Sequence, residues 1–172
     1  MKKVIAMLLV LAMVCAMAAC GGKKASLEGT MAENIEKIMK EKPVQFMGGM
    51  MPIDVKDTSE EGLWALKSFT GLDSAEKITD AAAYEPMTGS QAFSLVMVRV
   101  ANAADAKDVA EQMKKNIDPR KWICVGADQV MAAGYGDTVM FIMVDNSNLG
   151  LTAQSYVDAF ATVCGGKLDF TI

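Results

Sequence analysis

The chain has 172 residues, of which 17 are lysine or arginine, 21 are aspartate or glutamate, and none is histidine. A formal charge of −4 argues against a nucleic-acid partner and against electrostatic binding to anionic lipid. Without histidine there can be no Ser-His-Asp or Cys-His nucleophile pair and no histidine-ligated metal, and no cofactor is expected.

The N-terminus carries an address. Met1-Lys2-Lys3 is a short basic start, and Val4 to Met17 is apolar throughout, the pattern of a secretory signal. The apolar run falls short of the roughly 20 residues a spanning helix needs. It ends in Met17-Ala18-Ala19-Cys20-Gly21-Gly22, which resembles a bacterial lipobox, with Met17 where leucine is commoner. That resemblance implies lipidation of the Cys20 thiol (a diacylglyceryl group, with palmitate as an expected acyl chain) and cleavage before it. The other reading is an ordinary signal cut near Ala19 that leaves Cys20 a free thiol. Basic start, apolar core and the small-small-Cys end together favour lipidation. The chain then divides into a lipoprotein signal peptide (1–19), a lipidated cysteine with a flexible tether (20–27) and a single domain (28–172), a length that suits one hydrophobic core.

Within the domain, Thr30-Met31-Ala32-Glu33 has capping-box spacing, Met31, Ile35, Ile38 and Met39 recur at helical intervals, and Pro43 closes the segment. Gln45 to Val55, with two glycines and a proline, reads as an apolar loop. Thr58-Ser59-Glu60-Glu61 is a second capping-box pattern, opening a helix with Leu63, Trp64 and Leu66 that ends near Gly71. Ser74 to Thr79 is expected to add a helical turn. Ala82 to Met87 reads as a strand, with Pro86 suiting an edge or a strand end. Ala92 to Val100 is apolar on both parities, as in a central strand. Asn102 can cap a helix whose stripe is Ala106, Val109, Ala110, Met113 and Ile117, stopped by Pro119. Gln129 to Tyr135 and Thr138 to Val144 flank Gly136-Asp137, a two-residue hairpin turn. Thr152 caps a last helix with Ala153, Val157, Phe160 and Cys164 on its stripe, ended by Gly165-Gly166.

The order helix-helix-strand-strand-helix-strand-strand-helix predicts an α+β domain, a four-stranded and mainly antiparallel sheet with helices packed on it. The helices from Ala104 and Thr152 are expected on one face. The Trp64 helix and the Met47–Met51 segment are expected to shield the other, with Phe93–Val100 and Thr138–Val144 the most buried strands.

This layout, with Cys20-Gly21-Gly22, Tyr84-Glu85-Pro86-Met87, the Phe93–Val100 strand, Ala104-Asp105-Ala106-Lys107-Asp108-Val109 and the Gly134-to-Val144 hairpin, resembles a family of small Gram-positive (Firmicutes-type) lipoproteins that share a domain of unknown function. The resemblance covers roughly Glu28 to Ala161. It implies a cell-membrane protein, lipid-anchored on the extracytoplasmic face of the cell surface, with no established activity. It supplies no catalytic residues. The chain departs from the pattern in having little charge between Met131 and Val144 and two cysteines inside the domain.

Cys124 and Cys164 form an even pair outside the cytoplasm. They are either a disulfide, closing a loop of about 40 residues worth about 3–4 kcal/mol on chain entropy, or two free thiols acting as small hydrophobes. Met47-Gly48-Gly49-Met50-Met51 offers soft thioethers, but methionines are scattered through every segment and read as core filler. Asp145 to Gly150 fails as a calcium loop, with Leu149 at its fifth position and Tyr156 at its twelfth, and reads as a turn before the Thr152 cap. The acids Asp54, Asp57, Glu60 and Glu61 read as a solvated helix start. Trp64, Tyr84, Trp122 and Tyr135 are few and dispersed, and serve either a ligand groove or packing.

The expected function is a non-enzymatic binding or structural lipoprotein, held at the membrane by Cys20 and otherwise monomeric, with a protein or small-ligand partner that the residues do not specify. The alternative is a small cell-surface enzyme using carboxylates or a cysteine thiolate. Against it stands the lack of any motif pairing a nucleophile with a base.

Overall fold

A computed structural model describes residues 26–172; the signal segment and Cys20 lie outside the described residues. Helix α1 (Met31–Glu41) opens on the expected capping box: Glu33 N–H donates to Thr30 Oγ1, and Thr30 N–H donates to the Glu33 carboxylate. It buries Met31, Ile35 and Ile38. Helix α2 (Glu60–Thr70) is capped by Ser59, one residue later than the Thr58 expected, and stops on a left-handed Gly71. Asn102 caps a short 3-10 turn that leads into α3 (Ala106–Asn116), and Thr152 caps α4 (Ala153–Val163).

The fold is α+β with an antiparallel sheet, but the sheet has six strands rather than four. Its order is β1-β2-β3-β5-β4-β6, with every pairing antiparallel. β1 (Gly48–Ile53) and β6 (Phe170–Thr171) are the additions. β2 (Ile78–Pro86) begins four residues before the predicted strand; of the helical turn expected over Ser74 to Thr79, Ile78 and Thr79 belong to β2 and the rest is non-helical. β3 (Phe93–Val100), β4 (Gln129–Tyr135) and β5 (Thr138–Val144) fall where the two-parity apolar run and the Gly136-Asp137 turn placed them. The element order is therefore helix-strand-helix-strand-strand-helix-strand-strand-helix-strand.

β1 was obscured by its glycines and by Pro52, which depress strand propensity. On an edge strand a proline forfeits no ladder bond it needs. Gly48 has a packing reason: a Cβ there would come within 2.5 Å of the Tyr84 ring on the neighbouring strand. β6 is two residues long and carries no periodicity. It is seated by the Phe170 ring, which lies in the space a side chain on Gly134 would fill.

Both faces of β3 and β5 are covered, as their two-parity apolar pattern requires. Val96, Val98, Phe141 and Met143 pack under α2 and α3; Leu95, Met97, Met140 and Ile142 pack under α1 and α4. The helices thus make three layers, and α3 and α4 lie on opposite faces rather than together. Sheet width sets how many helices each face needs, two, and leaves open which two. Five inter-strand gaps of about 4.8 Å make the sheet about 24 Å wide, and two helices about 10 Å apart cover most of that. Two helices suffice for one face only, so the remaining two must take the other. Trp64 points away from its helix's packed side and is 70% exposed; Leu66 makes the buried contact instead. Of the Met47–Met51 segment, Gly48 to Met51 run along the sheet edge in β1 and do not lie across a face.

Candidate functional site

The strand ends define two poles, about 24 Å apart for seven residues at about 3.4 Å each. At one pole lie the β4–β5 turn and the start of the described chain. Ser26 Oγ donates to Asp137 Oδ2 at 2.8 Å, and the Arg99 guanidinium donates to the Leu27 and Gly29 carbonyls at 2.6 and 2.9 Å. At the other pole the segments around Met47, Met87, Gly89 and Ile123 meet through backbone bonds: Met87 N–H to Met47 O, and Ile123 N–H to Gly89 O. Met47, Met87 and Ile123 are 67–78% exposed.

Just beneath this second pole is a polar cluster that sequence reasoning missed. Glu85 near the end of β2 and Ser94 near the start of β3 point to the same face as Val96, where the sheet meets α2. Lys121 reaches in from the irregular loop 117–128. Its ammonium donates to Glu85 Oε1 at 2.5 Å and to the Ser68 carbonyl at 3.1 Å. It also lies 5.1 Å from the centroid of the Phe69 ring and 5.4 Å from that of Trp122. Ser94 Oγ donates to the same Glu85 oxygen at 2.6 Å. Both charged side chains are 14% exposed. Burial pushes the Lys121 ammonium below the ordinary lysine range, against the pull of the Glu85 carboxylate and of Asp118. A buried charge pair of this kind is tolerable only when it is well hydrogen-bonded, and this one is.

The remaining candidates are dispersed. Cys124 is exposed on loop 117–128 in a left-handed conformation (φ 63°), whereas Cys164 is buried against α1 and α4 on the opposite face of the sheet. Both are free thiols in this structure. The two cysteines are carried by elements that pack on different layers. Burial, with a smaller contribution from Asp169, pushes the Cys164 thiol up to about 12. The acidic set does not converge: Asp54 and Asp57 accept the Lys56 and Ser59 N–H groups in local turns, and Glu60 and Glu61 lie in the first turn of α2. Asp145 caps the single helical turn Asn146–Leu149, as a turn before Thr152 should. Asp128 braces that turn from β4's approach, and the Ser147 hydroxyl and Asn146 N–H hold its carboxyl below the usual range. Among the described residues no three His, Cys, Asp or Glu side chains converge as a metal site would need.

Of the aromatics, Trp64 and Trp122 both come near Lys121, whereas Tyr84 belongs to an edge-to-face cluster with Phe46, Phe93 and Tyr156 under the opposite layer. Ser94, the hydroxyl closest to a charged pair, is completely buried; a substrate cannot reach it without movement of the loop above. The only sequence signal for this cluster was Glu85 in a strand that otherwise buries alanines, a polar residue at a core parity. Among the described residues no helix is long and apolar enough to cross a membrane. The chain matches no protein-family model, no curated protein and no solved structure.

Proposed function

We propose that the protein is a lipid-anchored, extracytoplasmic binding protein without catalytic activity, tethered through Cys20 and meeting its partner at the pole remote from the tether. The observation that supports this reading is the polarity of the domain. Its N-terminal end is clamped by Arg99 and Asp137 at one pole, and its exposed apolar side chains, Met47, Met87 and Ile123, gather at the other. Five residues separate Cys20 from Ser26, six backbone steps with a reach of at most about 22 Å. A lipid at Cys20 would therefore keep the Asp137 pole near the bilayer and turn the apolar pole outward. Clustered apolar side chains on a monomer commonly mark contact surfaces. The exposed thiol of Cys124 has no histidine anywhere in the chain to act as its base, and the Ser94 hydroxyl is enclosed, which favours binding over catalysis.

The test uses the exposed thiol as a reporter. A membrane-impermeant maleimide applied to intact cells should label the wild-type protein at Cys124 and not the Cys124→Ser variant. Cys20→Ala should release the protein from the membrane fraction or leave it unprocessed. Labelling that appears only after lysis, or a Cys20→Ala protein that still carries lipid in the membrane, would overturn the reading.

A further inference from the structure

The surroundings of the Lys121 ammonium are those that recognise a primary alkylammonium from any source. A carboxylate and a backbone carbonyl accept two of its protons, and two aromatic rings flank it. Such faces attract a cation through the ring quadrupole. The Ser68 carbonyl belongs to the last turn of α2, where carbonyls lack helical partners and the helix dipole favours positive charge. Glu85 is fixed independently of the lysine, by Ser94 Oγ on the same oxygen. The cage is therefore built on rigid elements, β2, β3 and α2, and only its occupant and the Trp122 ring arrive on a loop.

That loop, residues 117–128, has no helix or strand of its own. It closes on itself through Ala127 N–H to Pro119 O, and Ile123 N–H ties it to Gly89 O. The cage also has a mouth. A surface depression of about 240 Å³ is lined by Trp64, Lys67, Ser68, Asn116, Asp118 and Lys121. Lys67 is engaged by Asp73 at 2.6 Å, which leaves Asp118 as the acid at the entrance.

We propose that this cage is an alkylammonium-binding site that the chain fills with its own lysine, loop 117–128 being the strap that carries the ammonium in. The proposal is independent of how the chain is anchored. In the wild type the tethered lysine acts as an intramolecular ligand at high effective concentration, so a free amine competes poorly and the site reads as an ion pair. Removing the lysine exposes it. Lys121→Ala deletes Cγ, Cδ, Cε and Nζ, the atoms of n-propylamine, and leaves Glu85 buried without a countercharge.

The experiment is thermal unfolding of the wild type and of Lys121→Ala at neutral pH, with n-propylamine, with Nα-acetyl-lysine amide, and with n-propanol as the uncharged counterpart. The amine should raise the midpoint of Lys121→Ala by about 3–6 °C at ten times its dissociation constant, and n-propanol should not. A shift from n-propylamine alone supports the proposal and assigns a small free amine. A shift from the lysine derivative as well supports it and extends the site to a lysine side chain from another polypeptide. The double variant Glu85→Gln, Lys121→Ala carries no orphaned charge and should not respond. If Lys121→Ala does not fold alone, amine-dependent recovery of its circular dichroism replaces the midpoint as the readout. No response to either amine up to about 0.1 M, well above the millimolar scale of a tethered group, overturns the proposal. So does an equal response to n-propanol, or an equal response from the double variant.

Discussion

Tyr156 is fully buried on α4, and its hydroxyl has no hydrogen-bond partner among the described residues. Its ring packs edge-on against Phe93, with centroids 5.1 Å apart and planes at 67°. Tyr156→Phe keeps those ring contacts and removes only the oxygen. A buried, unsatisfied hydroxyl costs about 1–3 kcal/mol, and the void left by one oxygen returns only part of that, so the variant should be more stable by about 1 kcal/mol. For a domain of this size that corresponds to a rise of about 2–4 °C in Tm. Urea and thermal unfolding followed by circular dichroism read it directly. The alkaline limb gives a second reading. Burial raises the Tyr156 hydroxyl well above the usual tyrosine value, so the folded state holds a proton that the unfolded chain releases near pH 10. The stability this group contributes is present below pH 10 and is lost as pH rises beyond it; Tyr156→Phe should lose less stability there than the wild type. A variant destabilised by more than about 1 kcal/mol would show that the hydroxyl has a partner after all, such as an enclosed water, and would refute the reasoning.

Other expectations follow from the same packing. An aromatic disulfide reagent should titrate Cys124 quickly in the native protein and Cys164 only on unfolding. The Cys164 thiol, held up to about 12 in the fold against an ordinary thiol value of 9.0, should contribute stability that is complete below pH 9 and lost between pH 9 and 12; native reactivity of Cys164 at the rate of Cys124 would contradict its burial. Gly134→Val should evict the Phe170 ring and strip β6 from the sheet edge, which amide exchange at Ile172 and Ala132 would register, since these two residues exchange both backbone bonds. Protection unchanged at both would show that β6 does not depend on that glycine.

How much of this was legible in the sequence depends on which force set each feature. β3, β4, β5 and α1 were readable because a single local rule dominates each: an apolar run on both parities for β3, a two-residue hairpin turn for β4 and β5, a capping box with a 3.6-residue stripe for the helix. β1 was not, because its glycine answers to Tyr84, which is 36 residues further along the chain. The face on which α3 and α4 pack was not legible either, since an amphipathic stripe states that a helix is covered and not by which layer. The Glu85–Lys121 pair joins residues from a strand and a loop separated by 36 positions, beyond the reach of any spacing rule. Glu85 among Ala81, Ala82 and Ala83 was its one local trace. Trp64 misled for the opposite reason: large aromatics are usually packing residues, and this one faces solvent.

The strand order has a consequence for how the chain folds. β2–β3 and β4–β5 are hairpins whose turns close locally, within microseconds for such elements. The β3–β5 seam is different: Phe93 pairs with Val144 and Arg99 with Thr138, so α3 and the whole 117–128 loop must be looped out before the seam can form. That closure entropy is spent before any of the central contacts is gained. Each half meanwhile has one interior strand, β3 or β5, serving as a raw edge with Val96 and Val98 or Phe141 and Met143 bare. A chain stopped after Asp118 would keep β3 in that state permanently, a row of unpaired backbone groups flanked by apolar side chains, which is the form in which sheets recruit one another. On these grounds the slowest and most aggregation-exposed moment of folding is expected at the meeting of its two hairpins.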